Sequence, residues 1–214
     1  MKIVGIDLSG PRNFAETCLV SFEERGEEIH LMDVCEGADD QRILERIACF
    51  GQRERIIIGI DAPLSYNSKG GDRPSDSELR RLVSTHGGRI GIMPPTMIRM
   101  VYLTLRGVLL TRFMEALKPQ YNLEMVEVHP GASMILRGAN ADHVRKFKKD
   151  LSARRCLLDW LETQGLKGIS HREIVTDHYV AACAAALAAW QWNLGKSVWR
   201  FTLNLPHHPY DFAC

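Results

Sequence analysis

Four carboxylates stand where the surrounding sequence is apolar. Asp7 follows Ile3-Val4-Gly5-Ile6, Asp61 follows Ile56-Ile57-Ile58-Gly59-Ile60, and Glu127 lies inside Met125-Val126-Glu127-Val128. Asp177 falls in the second turn of a predicted helix otherwise made of Val, Ala, Cys, Leu and Trp. An unpaired carboxylate in such a segment is costly, so each needs a hydrogen bond, a cation or a metal. One shared explanation covers all four. Clustered acids repel, and a hard divalent cation such as Mg²⁺ or Mn²⁺ relieves the repulsion while keeping water positions open for phosphate. Two such ions about 3.5–4 Å apart would activate a water and stabilise the leaving oxygen of a phosphodiester. Asp7, Asp61, Glu127 and Asp177 are therefore both the catalytic and the metal-ligand candidates.

Other groups fit around that chemistry. Lys69, Arg73 and Arg80 follow Asp61 closely enough to clamp a phosphate as their loop closes. His129 is placed to orient a water or touch a phosphate. His178, next to Asp177, is expected to face away from that acid's partner on a helix. Gly87-Gly88-Arg89-Ile90-Gly91 lacks the strand before, the helix after and the Lys-Ser/Thr of a phosphate-binding loop.

The elements that position these residues follow from periodicity. Lys2–Leu8, Ala15–Glu23 and Glu28–Val34 read as three strands joined by short turns, an antiparallel meander. From Asp39 the spacing of Ile43, Leu44, Ile47 and Phe50 is helical, and Arg55–Ile60 is a bare apolar run; a helix followed by a buried strand implies a parallel crossover. Asp7 and Asp61 then meet at adjacent strand ends, where open sheets build ligand sites. Ser65–Arg73 reads as a loop, Ser75-x-x-Glu78 as a capping box opening a helix to about Ser84, and Thr96 as the cap of a helix to about Leu117. A strand at Met125–Val128 precedes helices over about 132–137 and 142–164. The last helix is predicted from the box Ser170-x-x-Glu173 to Asn193, and a final strand over Val198–Leu203. The expectation is a three-layer α/β fold with a mixed central sheet in one domain spanning 1–214, carrying an insertion at about 65–120.

Composition agrees with a chain that folds unaided: 214 residues, 45% hydrophobic and 25% charged. The six cysteines are scattered, without zinc-ligand spacing, and read as reduced thiols. The start lacks a signal-peptide pattern, so a cytoplasmic location is expected. Tyr179–Trp190 is too short to span a bilayer, so no membrane partner is expected. The net charge of +1 divides into −6 over residues 1–62 and +7 over 63–214. The densest basic run, Arg137 to Arg155, reads as a solvated helix face or a track for a phosphate backbone. The four tryptophans are too dispersed for a base-stacking platform.

The runs Val4-Gly5-Ile6-Asp7, Gly59-Ile60-Asp61-Ala62-Pro63-Leu64, Arg73-x-x-Asp76-x-x-x-Arg80, Glu127-Val128-His129-Pro130 and Asp177 before Ala-x-Ala-Ala-Ala-Leu resemble the DUF429 family over roughly residues 2–192. Those proteins are described as predicted nucleases with a ribonuclease H-like fold. The resemblance implies that fold, a site made of Asp7, Asp61, Glu127 and Asp177, and nucleic acid as partner. One departure stands out. Family members often carry a second Asp-Ala pair four residues into the last helix, where this chain has Ala181-Ala182.

The leading functional expectation is a Mg²⁺- or Mn²⁺-dependent nuclease with water as nucleophile. A non-catalytic binding or scaffold protein of the same fold is the second reading. A phosphotransferase of the actin-like and sugar-kinase group is the third, although only Leu8-Ser9-Gly10 follows the first acid and one copy of the domain is present.

Overall fold

The computed structural model describes residues 1–214. Strand β1 (Lys2–Asp7) leads through a 3-10 turn (Pro11–Glu16) to β2 (Cys18–Arg25) and β3 (Glu28–Glu36). The β2–β3 turn relies on Gly26 at φ 64°, a conformation that favours glycine. Helix α1 (Asp40–Ala48) is capped by Asp39, whose carboxylate accepts from the Arg42 N–H at 2.8 Å. It returns the chain to β4 (Arg55–Asp61), parallel to β1 as predicted. Then come α2 (Pro74–Thr85), α3 (Val101–Leu117), β5 (Asn122–Val128), α4 (Pro130–Leu136), α5 (Ala141–Lys146), α6 (Leu151–Thr163), β6 (Leu166–Lys167), α7 (Asp177–Asn193), β7 (Arg200–Phe201) and β8 (Phe212–Ala213). One mixed eight-stranded sheet runs β6-β3-β2-β1-β4-β5-β8-β7. β1, β2 and β3 are antiparallel, and β1, β4, β5 and β8 parallel.

Helices cover both faces, giving the expected three layers. Strand alternation sends Ile3 and Ile57 to one face and Val4, Ile6, Ile56, Ile58 and Ile60 to the other. On the first face α7 lies directly on the strands, which is why Gly5 and Gly59 are required there. A Cβ on Gly5 would stand 2.0 Å from the Ala182 carbonyl oxygen, and one on Gly59 2.5 Å from that of Ala185. The alanines of α7 answer the same need from the helix side. Gly5 and Gly59 are register partners, as are Asp7 and Asp61 two residues on, so both acids leave the sheet on the α7 face.

On the second face α3 buries Thr104, Arg106, Gly107, Leu110, Thr111 and Met114. Arg106 anchors it, donating to Asp40 at 2.7 Å and to the Ser9 and Ala38 carbonyls at 2.8 and 3.0 Å. Of the apolar residues at helical spacing along it, Val101, Leu105 and Leu109 face solvent, Val108 is half-buried and Met114 is fully buried.

Several boundaries move, each for a local reason. The strand expected from Ala15 starts at Cys18, because the Pro11–Glu16 turn takes up the preceding residues. α2 begins at Pro74: its box carboxylate is Asp76, accepting from the Arg73 N–H at 2.9 Å, while Glu78 accepts from the Trp199 indole at 2.7 Å. α3 starts at Val101 rather than beside Thr96, whose hydroxyl accepts from the Gly71 N–H. The helix expected over 142–164 breaks at 147–150, where Asp150 caps α6. α7 begins at Asp177, capped by Thr176, so Asp177 is in its first turn. The last strand is two residues long and pairs with Phe212–Ala213 in the tail. Cys18, Cys35, Cys183 and Cys214 are buried, Cys49 and Cys156 exposed, and all six are free thiols. No helix is long and apolar enough to cross a membrane.

Candidate active site at the ends of the parallel strands

The C-terminal ends of β1, β4 and β5 open into a cleft of about 480 Å³. Asp7 and Asp61 form its floor and the first turn of α7, with Asp177, His178 and Ala181, one wall. The opposite wall is the segment Arg89–Met93, and Arg145 and Lys148 stand at its rim.

The two floor carboxyls end register-paired neighbouring strands, so their charged forms repel. Burial raises Asp61 well above the usual carboxylate range, and the charge of Asp7 pushes it further, against the pull of Lys148. Asp7 is raised by burial as well, opposed by His178, whose Nδ1 lies 2.7 Å from Asp7 Oδ2. That hydrogen bond raises the His178 pKa, burial works against it, and Asp177 adds to the rise. Asp61, Asp7 and His178 thus form a row of interacting titratable groups, in which Asp61 is raised the furthest.

This row has a stability signature in metal-free buffer. An acid raised in the folded state binds its proton more tightly than in the unfolded chain. Its stabilising contribution is full at low pH and is lost as pH climbs from the ordinary carboxylate range through the raised folded value. His178 gives the same sign, its contribution being lost as pH rises through its own raised value. Asp61→Asn therefore melts at a higher temperature than the natural chain at pH 8, by a margin on the order of 1 kcal/mol that shrinks towards pH 4. Melting curves across that range check it; an equal loss at every pH would make Asp61 a structural hydrogen-bonder.

Glu127 sits differently. It pairs in register with Ile60, one residue out of phase with Asp61, so it leaves the opposite face of the sheet. It still borders the cleft, as do Arg73 and Asp76, and it is bound by Arg73, whose Nη1 donates to Glu127 Oε2 at 2.8 Å and whose Nε donates to Asp76 Oδ2 at 3.0 Å. All three side chains are almost fully buried. Burial alone would lower the Arg73 pKa, but Glu127 and Asp76 more than reverse this, so the guanidinium is permanently charged. The same Glu127 oxygen accepts from the Leu64 N–H at 2.9 Å and so fixes the turn that follows Asp61.

The remaining expectations divide. Lys69 is exposed and away from the cleft lining. Arg80 is held outside it by Asp72 at 2.6 Å and the Ile92 carbonyl. His129 lines the cleft but caps α4, its Nδ1 accepting from the Ala132 N–H at 3.2 Å while Nε2 faces the Gly91 carbonyl at 3.3 Å. Burial lowers its pKa, which suits a neutral ring in that arrangement. Of the basic run, Arg145 and Lys148 reach the cleft, whereas Arg154 is spent on the Phe147, Lys148 and Val175 carbonyls. Sequence reasoning missed His178 and Arg89. A histidine next to a candidate acid at a helix start was the available signal for the first.

The residues present fit a divalent cation in part. Two half-buried carboxyls whose charged forms repel, with Asp177 on the adjoining wall, are hard oxygen ligands in need of a counter-charge. No group of three or more His, Cys, Asp and Glu side chains is gathered closely enough to hold a metal, and Glu127 is already neutralised by Arg73.

A family model described as a protein of unknown function matches residues 5–209, a span containing all four acids. The chain belongs to the DUF429 family. No curated protein and no solved structure matches it. Within this DUF429 chain, Ala181 is 7% exposed and lines the cleft.

Proposed function

We propose that this DUF429 protein is a divalent-metal-dependent phosphodiester hydrolase acting on nucleic acid, built on a ribonuclease H-like sheet. The observation that carries the proposal is the in-register Asp7–Asp61 pair on the cleft floor, with Arg145 and Lys148 above it. The order β3-β2-β1-β4-β5, antiparallel then parallel, supports the ribonuclease H-like reading. Asp7 and Asp61 would hold the metal, with Asp177 on the adjoining wall, and Mg²⁺ or Mn²⁺ would supply activation of water and of a phosphoryl oxygen. Arg89, Arg145 and Lys148 would position the phosphate, and His178 fixes the orientation of Asp7 by its hydrogen bond. Glu127 and Arg73, which also border the cleft, hold the turn that follows Asp61.

A non-catalytic nucleic-acid-binding protein is the second reading, favoured by the capture of Glu127. Mn²⁺ titration by calorimetry, followed by cleavage assays on labelled single- and double-stranded DNA and RNA, separates the two. The hydrolase reading expects saturable Mn²⁺ binding that Asp7→Asn abolishes, and cleavage reduced at least about 100-fold in that variant. Nucleic-acid binding indifferent to Mn²⁺, without cleavage, would leave the second reading standing. Absence of both would overturn each.

A further inference from the structure

α3 is apolar on the side that nothing covers. Its exposed positions from 101 to 109 are Val101, Tyr102, Leu105 and Leu109, followed by Arg112, Phe113 and Ala116. Val101, Leu105, Leu109 and Phe113 are spaced four apart and form one stripe. The turn before the helix continues its path, because the Val101 N–H bonds the Met97 carbonyl and the Thr104 N–H that of Met100. That turn adds Ile98, 92% exposed, beside Tyr102 at 69% and Leu105 at 58%. Together with Met97 these side chains expose roughly 700 Å², large for an unpartnered patch and close to the ~800 Å² that each side of a standard interface buries.

The stripe is also complementary to itself. A two-fold axis crossing the helix at Gly107 sets antiparallel copies so that paired residue numbers are symmetric about 107. Leu105 then meets Leu109 of the partner subunit, Val101 meets Phe113 of the partner subunit, and Ile98 meets Ala116 of the partner subunit. The polar ends match in the same register. Glu115, which within its own chain pairs with Lys118 at 2.8 Å and accepts from the Tyr210 hydroxyl at 3.2 Å, faces Arg99 of the partner subunit, and Tyr102 meets Arg112 of the partner subunit, an aromatic face against a guanidinium. A parallel pairing would instead set Arg99 and Arg112 against their own copies.

We propose that the protein forms a homodimer through the exposed face of α3, the two helices packing antiparallel about Gly107. This stands independently of the hydrolase reading. The test is sedimentation equilibrium over micromolar concentrations, with circular dichroism confirming that each variant is folded. The natural chain is expected at twice 24.2 kDa. Leu105→Glu, on an exposed position, is expected to be a folded monomer. Arg99→Glu and Glu115→Arg are each expected to raise the dissociation constant about tenfold, and the two together to restore it. A monomeric natural chain would overturn the proposal, as would a Leu105→Glu dimer of unchanged affinity. Failure of the combined charge exchange to recover affinity would overturn it too.

Discussion

Gly59→Ala, and Gly5→Ala still more, will lower the melting temperature by roughly 10 °C or more. The added Cβ would meet carbonyl oxygens of α7 at 2.5 and 2.0 Å, and neither neighbour is the free end of a side chain. The Cβ of Gly5 would also lie 2.5 Å from the Ala186 backbone nitrogen, so the helix must lift off two strands at once. Overpacking of ordinary cores costs about 1–3 kcal/mol, and a backbone-to-backbone collision belongs at or above the top of that range, at least about 3 kcal/mol. Gly10→Ala is the control: its Cβ would find only the Tyr102 Cβ, at 3.9 Å, and its φ of −63° suits any residue. Thermal melts of the three variants check this. A loss no larger than the control's would mean that α7 does not sit where the contacts require.

Arg73→Met will be the second severe variant, costing about 3–5 kcal/mol at neutral pH. It keeps most of the side-chain volume while leaving Glu127 and Asp76 buried without a cation. Breaking a buried pair from one side costs more than removing both partners, because the stranded charge has no water to return to. Acidification, which neutralises stranded carboxylates, will therefore restore part of the loss, and Arg73→Met combined with Glu127→Gln will be more stable at pH 7 than Arg73→Met alone. Arg73→Lys will rescue poorly, since a single ammonium cannot reproduce the donors shared between Glu127, Asp76 and the Ser65 hydroxyl. Urea denaturation at pH 5 and pH 7 measures all three. Equal losses at both pH values would show that packing, not charge, accounts for the effect.

The pairing of Asp7 with Asp61 was legible because both end apolar runs buried on two faces, and such runs in a β-α-β order have few ways to pair. Glu127 was legible as an unusual acid but not as one leaving the opposite face of the sheet. Its phase relative to Asp61 depends on a one-residue offset in strand register, which side-chain types do not reveal. His178 was set aside because adjacent residues on a helix face different sides; the first turn of α7 lies over the strand ends, and the ring reaches Asp7 there. α3 misled in the opposite direction. Its most regular apolar spacing lies on the exposed side, while the buried side sets Leu110 and Met114 among Arg106, Gly107 and two threonines, whose types do not announce burial.

Alanine has no side-chain rotamers, so the seven alanines between Ala181 and Ala189 give up almost no side-chain freedom on folding and have none left to exploit afterwards. With the backbone of α7 seated against β1 and β4, that wall of the cleft moves as one body with the floor. Its amides should be among the slowest in the chain to exchange with solvent. The facing segment from Arg89 to Met93 has no regular hydrogen-bonded structure. Breathing of the cleft therefore belongs to that side, and deuterium uptake should divide the two walls sharply.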